Sequence, residues 1–123
     1  MSYFADLVRD TSTTTGTGDF TITGTPPSGA YVAFGSATEW VVGELIQVTI
    51  RHQTLNEWED IFVPLSTSTN IQRSSALTRV IRSSNAGALV NFSAGTKDVY
   101  NGFSASYANA IQGQISARHL VMS

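Results

Sequence analysis

The chain has 123 residues, no Cys, a formal net charge of −2 and a hydrophobic share of 41%. That is the size of one domain, with apolar content for a core but no means of stapling it by disulfides or caging a metal with thiolates. The acidic balance argues against nucleic acid as a partner, and every apolar run is far shorter than the ~20 residues of a membrane helix.

Charged residues make up 13% of the chain, Lys97 is its single Lys, and Ser and Thr number fifteen each. A globular domain usually carries about 25% charged residues. Such a composition fits either low-complexity disorder or an all-β module solvated by hydroxyls. The apolar share and the two Trp favour the second. Thr is β-branched and suits a pleated surface. The opening Met1-Ser2-Tyr3-Phe4-Ala5-Asp6-Leu7 has no basic n-region and no long apolar run, so no signal peptide is expected.

Residues 3–9 are a short apolar stretch, either a strand arm or the start of a short helix. Residues 11–18, Thr-rich and ending in Thr15-Gly16-Thr17-Gly18, are too polar for a core and too β-branched for a helix. Residues 19–23 alternate, with Phe20 and Ile22 on one face and Thr21 and Thr23 on the other, the pattern of a half-buried strand. Pro26 and Pro27 end it, because proline cannot donate to a ladder. Residues 31–34 are short and apolar without a distinct period, and 40–42 follow.

The strongest strand pattern is 44–53. Ile46, Val48 and Ile50 share one face; Gln47, Thr49 and Arg51 share the other. Residues 54–57 read as a hairpin turn into a return strand over 58–65. That strand changes phase, because Trp58 has one parity while Ile61, Val63 and Leu65 have the other. A β-bulge near Glu59-Asp60 would reconcile them. Pro64 places the end of the strand on a sheet edge.

Residues 66–70 read as a polar loop, 76–82 as a strand and Ser83-Ser84-Asn85-Ala86-Gly87 as a turn. Val90 and Phe92 mark the buried face of another short strand. Residues 93–96 turn into a last strand over 97–100. Strands at this spacing predict an all-β fold, a small antiparallel sandwich or barrel.

The remaining segment differs. Tyr107, Ile111 and Ile115 recur at i, i+4 and i+8, the stripe of an amphipathic helix, although Gly113 inside it costs about 1 kcal/mol relative to Ala. A strand over 115–121, with Ile115, Ala117 and Val121 on one face, is the alternative, and both readings stand. Either way an apolar tail must dock on its own domain or on a neighbour. The expected organisation is a β module over 1–101 and a helical or extended C-terminal tail over 102–123. Tyr107, Ile111, Ile115, Leu120 and Val121 are the candidate subunit interface.

The inventory for chemistry is thin. His52 and His119 have no ligand-spaced partners and read as surface or hydrogen-bonded histidines. Glu57, Glu59 and Asp60 cluster at the hairpin and read as a solvated turn, since a Ca²⁺ site needs more converging oxygens. No motif places two carboxylates in a shared pocket, and there is no G-x-S-x-G, H-E-x-x-H or P-loop. No catalytic, cofactor-binding or metal residue is assigned, and no cofactor is expected. Trp58, at a strand start, reads as core. Trp40 is the candidate exposed aromatic, placed to stack on a sugar if it faces solvent. Ser83-Ser84-Asn85 suits a sugar site or a turn equally.

Thr11-Ser12-Thr13-Thr14-Thr15-Gly16-Thr17-Gly18 followed by Phe20-Thr21-Ile22 resembles the opening of a small β module of tailed-phage virion proteins. Asn56-Glu57-Trp58-Glu59, Leu77-Thr78-Arg79, Ser83-Ser84-Asn85-Ala86-Gly87, Val90-Asn91-Phe92 and Gly95-Thr96-Lys97-Asp98-Val99 follow in the module's order and approximate spacing. The resemblance covers about residues 8–100. It implies a β-rich structural protein of the phage particle and brings no catalytic residues. The chain departs from it at Asp60-Ile61-Phe62-Val63-Pro64, and in extending beyond Val99. These departures suggest a free-standing protein rather than part of a long fibre.

The expected function is therefore non-enzymatic: a capsid decoration (cement) or head-fibre protein on the outer capsid. It would be made in the host cytoplasm and localised in the virion. Its partners would be the major capsid protein or tail proteins, and further copies of itself in a homo-oligomer, with no nucleic acid and no membrane. The alternative is a tail-located adaptor, baseplate or fibre module in host attachment. A two-carboxylate glycan hydrolase is disfavoured, because no motif positions the pair.

Overall fold

A computed structural model describes residues 3–5 and 7–102. Its framework is the hairpin of β3 (Leu45–His52) and β4 (Trp58–Thr67). The two strands pair in unbroken register, with Ile46 opposite Val63, Val48 opposite Ile61 and Ile50 opposite Glu59. The β-branched side chains of these pairs all point to one side and are fully buried, as the alternation over 44–53 predicts.

The remaining strands are β1 (Arg9–Ser12), β2 (Phe20–Thr21), β5 (Asn70–Ile71), β6 (Arg79–Ser83) and β7 (Lys97–Tyr100). All pairings between them are antiparallel, in the order β1-β7-β3-β4-β5-β2, with β6 also on β4. The two ends of this path meet: the Thr23 N–H donates to the Thr11 carbonyl at 3.2 Å, and the Ser12 hydroxyl to the Thr21 carbonyl at 2.7 Å. The fold is all-β, as expected, an antiparallel sheet nearly closed into a barrel. No α-helix occurs among the described residues; a 3-10 turn spans Phe34–Ser36.

The core fills the concave side. Phe20 meets Phe92 edge-on at 5.2 Å, and Phe34 stacks with Trp40 at 6.0 Å. Trp40 is therefore not the exposed aromatic that the sequence suggested. It is 5% exposed, and its indole N–H donates to the Phe34 carbonyl at 2.8 Å. A buried Trp needs such a partner, and the turn at Phe34–Ser36 supplies it. Trp40→Phe is expected to cost about 1 kcal/mol, the net worth of that hydrogen bond, measured as a shift of the urea midpoint.

Four local expectations change. First, β3 and β4 need no bulge between them. Glu59 takes the inward position that parity assigns it, and its charge is met by an arginine described below. The register shift lies instead between β4 and β6, where Asp60 faces Arg82 and Ile61 faces Val80, leaving Ile81 over on β6. Second, Pro64 is not on an edge strand, since β4 has partners on both sides. The Leu65 N–H faces β3, donating to Glu44, so Pro64 faces the other way, where β4 exchanges β6 for β5. Its missing donor falls in that gap. Third, Ser12 is buried in the 9–12 strand, although residues 11–18 read as too polar for a core, and Asp10 in the same strand is buried too. The Asp10 carboxylate accepts the N–H groups of Thr11, Thr23 and Gly24 and the Thr23 hydroxyl, so its burial is compensated. Fourth, Val90 and Phe92 are buried as expected, but by an isolated bridge between Phe92 and Gly16 rather than by a strand. The tail beyond Gly102, including its helix-or-strand alternative, lies outside the described residues.

Candidate functional site

The carboxylates clustered at the hairpin do not act together. Successive β4 residues point to opposite faces, so Glu59 turns inward and Asp60 outward. Both are fully buried, which corrects the expectation of a solvated turn. Glu57 reaches across to Ser93 instead, accepting its N–H at 2.8 Å and its hydroxyl at 2.7 Å. Those hydrogen bonds hold the Glu57 carboxyl below its ordinary value, against a smaller opposing effect of burial. No group of three potential metal ligands forms among the described residues.

His52 is a hydrogen-bonded histidine, as its sequence context suggested. Its Nδ1 accepts the N–H groups of Thr54 at 3.2 Å and Leu55 at 3.1 Å, so Nε2 carries the proton and donates to the Ala94 carbonyl at 2.8 Å. The loop over it is tight. A Cβ at Gly95, whose φ is +122°, would stand 2.9 Å from the ring. Gly95→Ala combines a strained backbone with that clash and is expected to cost about 1–2 kcal/mol in thermal or urea unfolding. His119 lies outside the described residues.

Lys97 stands between His52 and Ser12 in the register, on the inward face. It is fully buried, and its Nζ has no hydrogen-bond partner among the described residues. Burial pushes its pKa down, and the Glu57 carboxylate opposes that only in part.

A second cation is completely engaged. Arg73 and Glu59 form an ion pair with both side chains 0% exposed. Arg73 Nε and Nη2 donate to the two Glu59 oxygens at 2.8 and 2.9 Å. Nη1 donates to the carbonyls of Gly16 and Gly18 at 3.0 and 2.9 Å, and Nη2 also to that of Val90 at 2.7 Å. All five donors of the guanidinium are used. Glu59 in turn accepts the Val90 N–H at 2.9 Å. The guanidinium lies 4.8 Å from the Phe20 ring centre and 5.4 Å from that of Phe92. The segment Thr15-Gly16-Thr17-Gly18 is thus a carbonyl cradle for a buried arginine.

The outer, convex face of the strands β1-β7-β3-β4-β6 is a different surface. Parity places Arg9, Tyr100, Thr49, Asp60 and Arg82 in one row across it, and Asp98, Arg51 and Trp58 in the next. Phe62 and Arg79 pair further along. Trp58 is half-buried here, not in the core, because Glu59 rather than Trp58 has the inward parity. Arg9 is engaged with Asp98 at 3.1 Å and packs over the rings of Tyr31 and Tyr100. Burial pushes the Tyr100 phenol up. Near the middle of this face the chain leaves β7. Asn101 Nδ2 donates to the carbonyls of Gln47 at 2.6 Å and Tyr3 at 2.9 Å, and the Gly102 N–H donates to Gln47 Oε1 at 2.6 Å. Gln47, Thr49 and Asp60 are buried here.

Of the candidate site residues read from the sequence, Trp40 is in the core, and Tyr107, Ile111, Ile115, Leu120 and Val121 lie outside the described residues. Sequence reasoning does not single out the arginines of the outer face. Arg51 carries a signal, since it shares parity with Gln47 and Thr49. Arg79 and Arg82 do not, because their odd spacing reaches one face only through the extra residue at Ile81. No protein-family model matches the chain, and no curated protein or solved structure matches it either.

Proposed function

We propose that this chain is a non-enzymatic structural protein of a tailed-phage particle, a decoration (cement) or head-fibre protein of the outer capsid that works as a homo-oligomer. The observation that carries the reading is where the segments behind the resemblance lie. They interlock. Trp58 N–H donates to the Ser84 hydroxyl at 3.0 Å, and Ser84 N–H to the Trp58 carbonyl at 2.9 Å. Glu57 holds Ser93, Glu59 holds Val90, and Gly16 and Phe92 exchange backbone hydrogen bonds. Pieces scattered over about residues 8–100 are therefore the positions on which one scaffold depends, as a shared module requires.

The apolar residues Tyr107, Ile111 and Ile115, which follow Gly102 in the sequence, are the contact with a neighbouring subunit in this reading. Burying such side chains is worth about 1.5–3 kcal/mol each before ordering costs. Ile111→Asp combined with Ile115→Asp is expected to abolish oligomer formation and particle binding, followed by light scattering and by co-sedimentation with particles. Wild-type assembly of that variant would overturn the reading. The alternative, a tail-located attachment module, loses Trp40 as a sugar platform. Copy number separates the two: decoration needs copies in proportion to capsid subunits, and a tail component needs far fewer.

A further inference from the structure

We infer that the outer face of the sheet is a docking surface for an acidic protein segment in extended conformation, held by Arg51, Arg79 and Arg82 around Trp58. The inference rests on the assembly reading and names the contact surface within it.

Charge is distributed unevenly on this molecule. The chain is net negative, yet every described arginine except the buried Arg73 lies on this one face. Arg51 and Arg79 are exposed and Arg82 is half-buried. None of these three has an ion pair or side-chain hydrogen bond among the described residues, whereas Arg9 has both an acidic partner and two rings. Arg82 stands opposite Asp60, whose carboxylate accepts the Thr49 hydroxyl at 2.7 Å. Arg51 stands opposite Asp98, which is already bound by Arg9 and by Gln53 at 3.0 Å. The fold thus supplies acids on this face and leaves the three guanidiniums outside those pairs.

Trp58 lies directly beside Arg51 in the register and diagonal to Arg82. Its indole N–H has no partner among the described residues. Arg and Trp are the side chains that most often anchor protein interfaces, and the planar guanidinium matches a carboxylate in two-point contact.

The spacing selects the occupant. Arg51 is two strands from β6 and level with Trp58, so Arg82, level with Asp60, stands about 12 Å from it and Arg79, level with Phe62, about 17 Å. Arg79 and Arg82 stand about 7 Å apart along the strand, with Ile81 looped out. A compact anion such as phosphate would need them to converge. Alternate side chains of an extended peptide recur every ~6.8 Å and fit the observed spread. A long polyanion such as nucleic acid would also meet the net negative remainder of the chain.

The test uses the full chain and a fluorescent peptide of alternating Glu and Ser, with a Lys–Ser peptide, polygalacturonate and a thymidine oligonucleotide as comparators. The acidic peptide is expected to bind, more weakly as salt rises. The triple variant Arg51→Gln, Arg79→Gln, Arg82→Gln is expected to weaken it by about tenfold or more, and Arg9→Gln by less than about twofold. Equal losses for the two variants, or tighter binding of polygalacturonate or the oligonucleotide, would overturn the inference. On particles, the same triple variant is expected to lose occupancy. Undiminished occupancy would overturn the docking face and leave the assembly reading standing, whereas absence of the wild-type chain from particles would remove that reading itself.

Discussion

Arg73→Met is expected to destabilise the fold by about 3–5 kcal/mol, enough to leave much of a marginal domain unfolded. The reason is what stays behind. The Glu59 carboxylate remains fully buried without its counter-charge, the carbonyls of Gly18 and Val90 lose the Arg73 donor, and that of Gly16 keeps only the Phe92 N–H. Arg73→Lys keeps the charge but replaces a five-donor fork by a compact ammonium, so it should restore only part of the loss. The double variant Arg73→Met, Glu59→Leu is the informative control. Removing both charges abolishes the uncompensated carboxylate, and the double variant is expected to be more stable than Arg73→Met alone. Urea midpoints of the three variants measure this. A single variant within about 1 kcal/mol of the wild type would mean that the pair does not organise the core.

Lys97→Met is expected to act in the opposite direction, raising stability by about 1–3 kcal/mol near neutral pH. A buried polar atom without a partner costs about that much, and Met keeps most of the side-chain volume. The gain should depend on pH. The Lys97 pKa is lowered in the folded chain. Below the folded value the ammonium is charged in both states and its burial penalty is complete. Between the folded value and the ordinary 10.5 the unfolded chain binds the extra proton, so wild-type stability rises with pH across that window. The advantage of the Met variant should shrink over the same range. Denaturation at several pH values follows it, and a variant less stable than wild type at neutral pH would show that the amine has a stabilising partner.

A domain that retains a costly buried amine and a fully satisfied buried ion pair obtains its order from polar placement as well as from apolar burial. Arg73 joins the 16–18 turn, β4 and the 90–92 segment, none of which is adjacent in sequence. Asp10 does the same for β1 and the residues after β2. In both networks a buried charge is held by several partners from distant parts of the chain.

Much of the fold is legible in the amino-acid sequence. The alternation over 44–53 marks the central strand, since a period of two has one buried face, and the Lys97–Tyr100 strand falls where the turn at 93–96 places it. The inward pairs Phe20 and Ile22, and Val90 and Phe92, also follow from parity. The departures at the hairpin share a cause. Trp58 reads as core with a parity opposite to Ile61, Val63 and Leu65, so the sequence points to a bulge at Glu59-Asp60, and the carboxylates there read as a solvated turn. Both expectations fail because Arg73, fourteen residues away, neutralises Glu59. Trp40 and Trp58 exchange places, one into the core and the other to the outer face, because strand parity and a local carbonyl decide which indole is buried.

Sequence by itself determined the class of the fold and the faces of its main strands, because these depend on local periodicity. Only the tertiary structure decided which polar residues are inside, and that three arginines and a tryptophan share one outer face. Those outcomes depend on pairings between distant strands and on one extra residue in β6, and no local pattern encodes a partner that lies elsewhere in the chain.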